Sequence, residues 1–313
     1  MKKLLTLLTC ICLLTVPALA ADSAHSNDGP AVAAGTRLTP IATEPGDHAG
    51  KACDCIQLVF VIDVTGSMGG AIANVAAGLG SILTLADAQS CGNLEGAVVT
   101  FRDDVEVLQA MTANQTDITN AINSMVASGG DGWPEASDEG LNELVTAANC
   151  LTSGDFLPGD WDPNCCKIAV LVTDAPPAGC DDTYAVGTDD VAASNVANAL
   201  AAAGVRIAAV QVNSEGFPDA IALPIMINYA NVTGGVYGQV PFDGSGTADA
   251  IEQAVLDCEG AGATELCCTE AGCFAVLEGQ CEAIGGVVVD DCDNCDSVPS
   301  ETSTWGDLKS LYR

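Results

Sequence analysis

Two runs constrain this chain more than any other feature. Ile56-Gln57-Leu58-Val59-Phe60-Val61-Ile62 ends on Asp63, and Lys167-Ile168-Ala169-Val170-Leu171-Val172-Thr173 is followed by Asp174. Runs so apolar and β-branched, with little alternation, describe strands covered on both faces, which is the interior of a parallel sheet. Helical and strand patterns alternate around them. Helices are predicted over Ala71–Ala86, Thr116–Val126, Glu135–Asn149, Val191–Ala203, Asp219–Asn231 and Thr247–Asp257. Strands are predicted over Gly96–Phe101, Val205–Val212 and Gly235–Val240, with Val105–Met111 as a short antiparallel partner. This order predicts a three-layer α/β fold, a mostly parallel central sheet flanked by helices. Ligands of such sheets gather beyond the carboxyl ends of the strands, where Asp63 and Asp174 both fall.

The ends read differently. Lys2-Lys3, an apolar run from Leu4 to about Ala18 and the small residues Ala18 and Ala20 describe a signal peptide over residues 1–20, cut after Ala20. Residues 21–52 are a Gly/Pro/Ser/Thr-rich leader, expected to be flexible. The first apolar run is short for a spanning helix, and no later stretch is expected to be long and apolar enough, so membrane insertion of the mature chain is not expected. The expected location is secreted, extracellular or at the cell surface, with the periplasm also open. Without Lys2 and Lys3 the chain keeps 7 of its 9 basic residues against 42 acids, a net of −35. Such a chain repels phosphate backbones and anionic lipid, which excludes nucleic acid as a partner. The acids are mostly scattered, as solubility in a salty medium requires.

Of 16 cysteines, Cys10 and Cys12 lie in the signal, leaving fourteen for an oxidising compartment, which reads as disulfides. Cys165-Cys166, Cys267-Cys268 and the C-x-x-C of Cys292 and Cys295 also admit a zinc or redox reading. Residues 261–296 form a cysteine-rich module; 264–296 hold eight acids and six cysteines, too short a stretch for a core without staples. The tail 297–313 carries Trp305, Leu308, Leu311 and Tyr312 at roughly helical spacing, which suits a sorting signal or a helix docking on the body.

The chemistry concentrates in Asp63-Val64-Thr65-Gly66-Ser67-Met68. A carboxylate at a strand end and two hydroxyls at alternate positions converge in a tight loop, and Gly66 permits the turn. One anionic and two neutral oxygens suit a hard cation and leave it short of ligands, so it seeks a further carboxylate. Each residue also has a plain structural reading: Thr65 and Ser67 as helix caps, Glu135 as a first-turn acid, Asp174 as a turn former.

DVTGSM after an apolar strand resembles the D-x-S/T-x-S motif of the metal-ion-dependent adhesion site in von Willebrand factor A (VWA) domains. Gly129-Gly130-Asp131-Gly132-Trp133-Pro134-Glu135 resembles the D-x-P-E loop of one branch, which includes the integrin β-subunit domain, and Val172-Thr173-Asp174-Ala175-Pro176-Pro177 resembles the strand-end T-D-A segment. Asn231-Val232-Thr233-Gly234-Gly235 is similar to the family's closing turn, and the resemblance places a VWA domain at 53–260. It implies Asp63, Thr65, Ser67 and Glu135 around Mg2+ (or Ca2+ or Mn2+), Asp174 orienting a metal-bound water, and Asp131 supporting the loop or an auxiliary calcium. Asp131 stands four residues before Glu135, one more than the family spacing. The implied role is cation-dependent adhesion to a protein or glycan that offers a carboxylate, without catalysis. The resemblance also implies that Cys53 or Cys55 pairs with Cys258. A structural envelope-associated role is the alternative. A hydrolase or protease is a further one: Asp63-Val64-Thr65-Gly66-Ser67 is one residue from the D-T-G-S of aspartic proteases, but no second matching loop follows. A serine nucleophile would want histidine, and His25 and His48 both lie in the leader.

Overall fold

The computed structural model describes residues 55–295, apart from 131, 157, 214–220, 258–263, 270–271, 278, 283 and 293–294. The expected signal peptide, leader and tail lie outside the described residues, as do Asp131, Cys53 and Cys258. The central strands are β1 (Ile56–Asp63), β2 (Leu94–Phe101), β5 (Cys166–Thr173), β6 (Val205–Val212) and β7 (Val236–Val240). β3 (Val105–Thr112) and β4 (Leu151–Ser153) close one edge; β8 (Thr264–Thr269), β9 (Gly272–Leu277) and β10 (Val287–Val289) form the other. The order across the sheet is β10-β8-β9-β7-β6-β5-β1-β2-β3-β4. From β7 to β2 the pairing is parallel, and β3 folds back antiparallel on β2, as the alternating pattern predicts.

β1 is buried along its whole length because helices cover both faces. Its alternate side chains divide between two cores. Leu58, Phe60 and Ile62 pack with α1 (Gly69–Gln89), α2 (Gln115–Ser124) and α6 (Thr247–Asp257). Val59 and Val61 pack with α3 (Ser137–Asn142), α4 (Asp189–Ala202) and α5 (Ala222–Thr233). The strand period of two therefore sorts one apolar run into two interiors.

α1 corrects one expectation. The helical stretch Gly66–Gln89, 24 residues with mean hydropathy 1.5, is long and apolar enough to cross a membrane by length and composition. Its stripe Val75, Leu79, Ile82 and Ala86 lies instead in the core against the sheet. The helix expected over Glu135–Asn149 is a second correction, since α3 covers only Ser137–Asn142. Buried acids turn the chain back there. The Glu143 carboxylate accepts the amides of Ala148 and Phe156 at 2.7 and 2.9 Å, and Glu139 accepts the amide and side chain of Asn149. Carboxylates bonded to loop amides stabilise a non-helical path over the following residues.

The cysteine-rich module does not stand apart: β9 pairs parallel with β7, so the module's hairpin continues the sheet. Cys267–Cys281, Cys268–Cys295 and Cys273–Cys292 staple it. Cys55 bonds Cys165 across the starts of β1 and β5, which overturns a Cys55–Cys258 pairing; those two strands are adjacent and in register. Cys91 and Cys166 are also disulfide-bonded.

Cys150–Cys180 ties the segment before β4 to the loop after β5. It closes a separation of 30 residues, for which loss of loop entropy predicts about 3.6 kcal/mol of stability. A Cys150→Ser/Cys180→Ser variant is expected to show that loss in urea unfolding, with a steeper slope because the unfolded chain is freed to expand.

Candidate metal centre

The site follows from register. β1 and β5 run parallel with Ile62 beside Val172, which sets Asp63 next to Thr173 at the carboxyl edge. Asp63 is fully buried. Its Oδ1 accepts the Thr65 amide at 2.9 Å and the Thr65 hydroxyl at 2.7 Å, and its Oδ2 accepts the Thr173 hydroxyl at 2.8 Å. Thr65 Oγ1 and Ser67 Oγ lie 3.2 Å apart, and Ser67 hydrogen-bonds Asp174.

These contacts decide against the capping reading. Thr65 precedes the short 3-10 turn Gly66–Met68, and Met68 precedes α1, yet neither position makes a side-chain cap bond. The hydroxyls are turned toward the carboxylates instead of the helix amides. Glu135 likewise lies outside α3, whose first-turn acids are Asp138 and Glu139.

Glu135 is held by its backbone. Its amide donates to the Pro176 carbonyl at 2.9 Å, and its own carbonyl accepts from Ala178 at 3.0 Å, a bridge between the second loop and the segment after Asp174. The first loop is tied to the same region, because Gly66 donates to Gly129 O at 3.1 Å and Ser128 donates to Val64 O at 2.9 Å. Arg102 Nε donates to Ser128 O at 2.7 Å and holds the loop from outside. Gly130, at φ +83°, is the point of closest approach. A Cβ there would stand 2.8 Å from Glu135 Oε1 and 2.9 Å from Thr65 Cγ2.

The electrostatics are one-sided. Burial pushes the Asp63 carboxyl up to about 7, with repulsion from Asp174 adding and the bonds from Thr65 and Thr173 opposing. Burial raises Glu135 to about 9, followed by repulsion from Asp63, Asp103, Asp174 and Asp182. Asp174 is also raised by burial, against its bond with Ser67. The charged groups that act most strongly on Asp63 and Glu135 are thus other carboxylates. Glu135 Oε2 is buried without a hydrogen-bond partner among the described residues. An orphaned carboxylate oxygen among desolvated acids is costly unless a cation compensates it. Oxygen donors from Asp63, Thr65, Ser67, Glu135 and Asp174 fit a hard divalent ion in kind.

The fold brings together Asp63, Thr65, Ser67 and Asp174, with Glu135 meeting Thr65 across Gly130; Asp131 is outside the described residues. Sequence reading placed Thr173 in the T-D-A segment but gave it no role at the site, where its hydroxyl donates to Asp63. It also missed Asp103 and Asp182, which stand on separate loops and carry no motif. A second cluster, Cys55, Asp162 and Cys165, has its ligand atoms close together, but its two sulfurs are joined in a disulfide. Bonded sulfurs offer no thiolate to a metal.

Gly130→Ala is expected to lower stability by about 1–2 kcal/mol, through its positive φ and the crowding of Glu135 and Thr65. Thermal unfolding of the chelated protein measures this, and an unchanged midpoint would count against the close approach.

No curated protein matches the sequence. Among solved structures, the conserved hypothetical protein BatB from Bacteroides thetaiotaomicron has 14% identity and a TM-score of 0.45 over 65% of this chain and 98% of that one. Proximal thread matrix protein 1 from the mussel byssus has 19% identity and a TM-score of 0.45, over 65% of this chain and 46% of its own. One structure of that protein is described with a zinc-occupied MIDAS motif. A von Willebrand factor type A protein from Catenulispora acidiphila has 14% identity and a TM-score of 0.46, over 69% of this chain and 45% of that one. Residues 57–157 match the family model described as von Willebrand factor A domain, and the body of the chain has a three-layer, VWA-like α/β fold with a disulfide-rich C-terminal region.

Proposed function

We propose that this protein is a non-enzymatic interaction module that binds one divalent cation at the carboxyl edge of its sheet and captures an acidic group of a protein or glycan partner. The observation that carries this reading is the donor set: three buried carboxylates and two hydroxyls meet around the first loop, and Glu135 Oε2 has no partner among the described residues. Asp63, Thr65, Ser67 and Glu135 would hold the ion and Asp174 would orient a water on it. Asp131 is proposed as a support of the loop or of an auxiliary calcium. The cation supplies positive charge to a site that is otherwise anionic, so a partner's carboxylate becomes an acceptable ligand. Five described disulfides support an oxidising compartment, and with it export and an extracellular or surface location.

The test is calorimetric titration of Mg2+, Ca2+ and Mn2+ into chelator-stripped protein. Saturable binding of one ion per chain is expected, and absence of binding for all three would overturn the reading. An envelope-associated structural role is separated by its consequence: cation removal would then change melting without changing retention on carboxylate-bearing ligands.

A further inference from the structure

The segment that follows β5 backs the candidate metal centre along its length. The Pro176 carbonyl and the Ala178 amide bracket Glu135 by backbone bonds of 2.9 and 3.0 Å. Gly179 donates to the buried Asp138 carboxylate at 3.1 Å. Further on, Asp182 lies against Gly132: a Cβ on that glycine would stand 3.0 Å from the Asp182 carbonyl oxygen and 3.1 Å from its Cβ. The loop that carries Glu135 therefore rests directly on the segment 176–182.

Electrostatics oppose this contact. Asp182 repels Glu135, Asp181 stands next to it, and no basic residue occurs from 175 to 190. Like charges brought together at a desolvated site separate unless the chain restrains them. The restraint is the Cys150–Cys180 disulfide, whose second cysteine lies two residues before Asp182. Cys150 is a fixed post: its carbonyl accepts the Val105 amide of β3 at 3.1 Å, and Glu139 of α3 holds the neighbouring Asn149. Cys180 is exposed, so packing of its own side chain does little to replace the bond.

Ion choice depends on how rigidly the oxygen ligands are held. Mg2+ demands near-octahedral geometry at about 2.0–2.1 Å, whereas Ca2+ accepts longer and irregular bonds. We propose that the Cys150–Cys180 bond is a specificity determinant of the metal centre: it pins the Asp182 segment on Gly132, fixes the backbone that carries Glu135, and so shifts the preference of the site toward Mg2+ and away from Ca2+. The inference rests on the cation reading of that site. Cys150 and Cys180 are positioning residues, which act through the loop and not as ligands.

Titration of Mg2+ and Ca2+ into the full mature chain tests it, read as the ratio of the two dissociation constants. Cys150→Ser/Cys180→Ser is expected to lower the relative preference for Mg2+ about tenfold, the scale of supporting-residue effects at metal sites. Cys55→Ser/Cys165→Ser, at the opposite ends of β1 and β5, should leave the ratio unchanged, which separates positioning from general loss of stability. Gly132→Val keeps the disulfide, crowds Asp182 and should move the ratio the same way; it decides the matter where the cysteine variant folds poorly. Asp182→Asn added to the cysteine variant should restore part of the preference, since it removes the repulsion. In chelated protein, the Glu135 and Ala178 amides are expected to exchange about fivefold faster in the cysteine variant than in the wild type. An unchanged ratio in the folded cysteine variant, or in Gly132→Val, would overturn this inference and leave the metal reading in place. Absence of cation binding by the wild type would overturn the metal reading and this inference with it.

Discussion

Asp63→Asn is expected to weaken divalent-cation binding by at least about 100-fold, roughly 2.7 kcal/mol, while the chelated protein stays folded. Asp63 sits at the end of the central strand and, among the described residues, is the acid bonded to both Thr65 and Thr173. The amide retains an oxygen for one of these hydroxyls, so the loop keeps part of its support. What it removes is a full negative charge, the largest attraction a hard cation finds there. Without its cation the site gains from the change, because Asp63 repels Glu135 and is itself repelled by Asp174. The combined signature is lost binding with an equal or higher melting temperature in chelator. Calorimetry alongside thermal unfolding measures both. Equal cation affinity in wild type and variant would remove Asp63 from the site, and a collapse of the chelated variant would make Asp63 a structural residue first.

The second large effect is a pH dependence that reverses sign with the cation. Asp63 and Glu135 are raised in the folded state to about 7 and about 9. In an unfolded chain these groups titrate near about 3.9 and 4.3. A raised carboxyl stabilises the fold fully below its unfolded value, and that contribution is lost as pH rises through the folded value. The chelated protein should therefore lose stability between pH 5 and pH 9, on the order of 3 kcal/mol after relaxation. Divalent cation acts in the opposite direction, since it binds the ionised acids and binds them better as pH rises. At about 100 times its dissociation constant it adds about 2.7 kcal/mol, or roughly 5–10 °C for a body of this size. Urea unfolding at pH 5, 7 and 9, with and without Mg2+, resolves the two slopes. An Asp63→Asn/Glu135→Gln variant should flatten both, which distinguishes the site from the general repulsion of a chain carrying 42 acids. Parallel slopes with and without cation would contradict this account.

The buried strands were legible because a strand covered on both faces cannot afford polar alternation. Ile56–Asp63 and Lys167–Thr173 therefore declared a central parallel sheet and placed two acids at its edge. The Asp63-Val64-Thr65-Gly66-Ser67 spacing was legible for the same local reason, since residues two apart in a tight loop face one way. Tertiary structure decided the rest. α3 stops at Asn142 because Glu139 and Glu143 find loop amides that no linear pattern announces. The cysteine module joins the sheet because β7 offers a free edge to β9, and pairing choice depends on which edges remain open after folding. Thr173 serves Asp63 because two strands 110 residues apart lie in register. The repulsion from Asp103 and Asp182 reaches Glu135 only once separate loops have been packed together. Sequence determined what lies near in the chain and repeats with the period of a strand or helix; distance through space, and the burial that sets the charge of each acid, belonged to the fold alone.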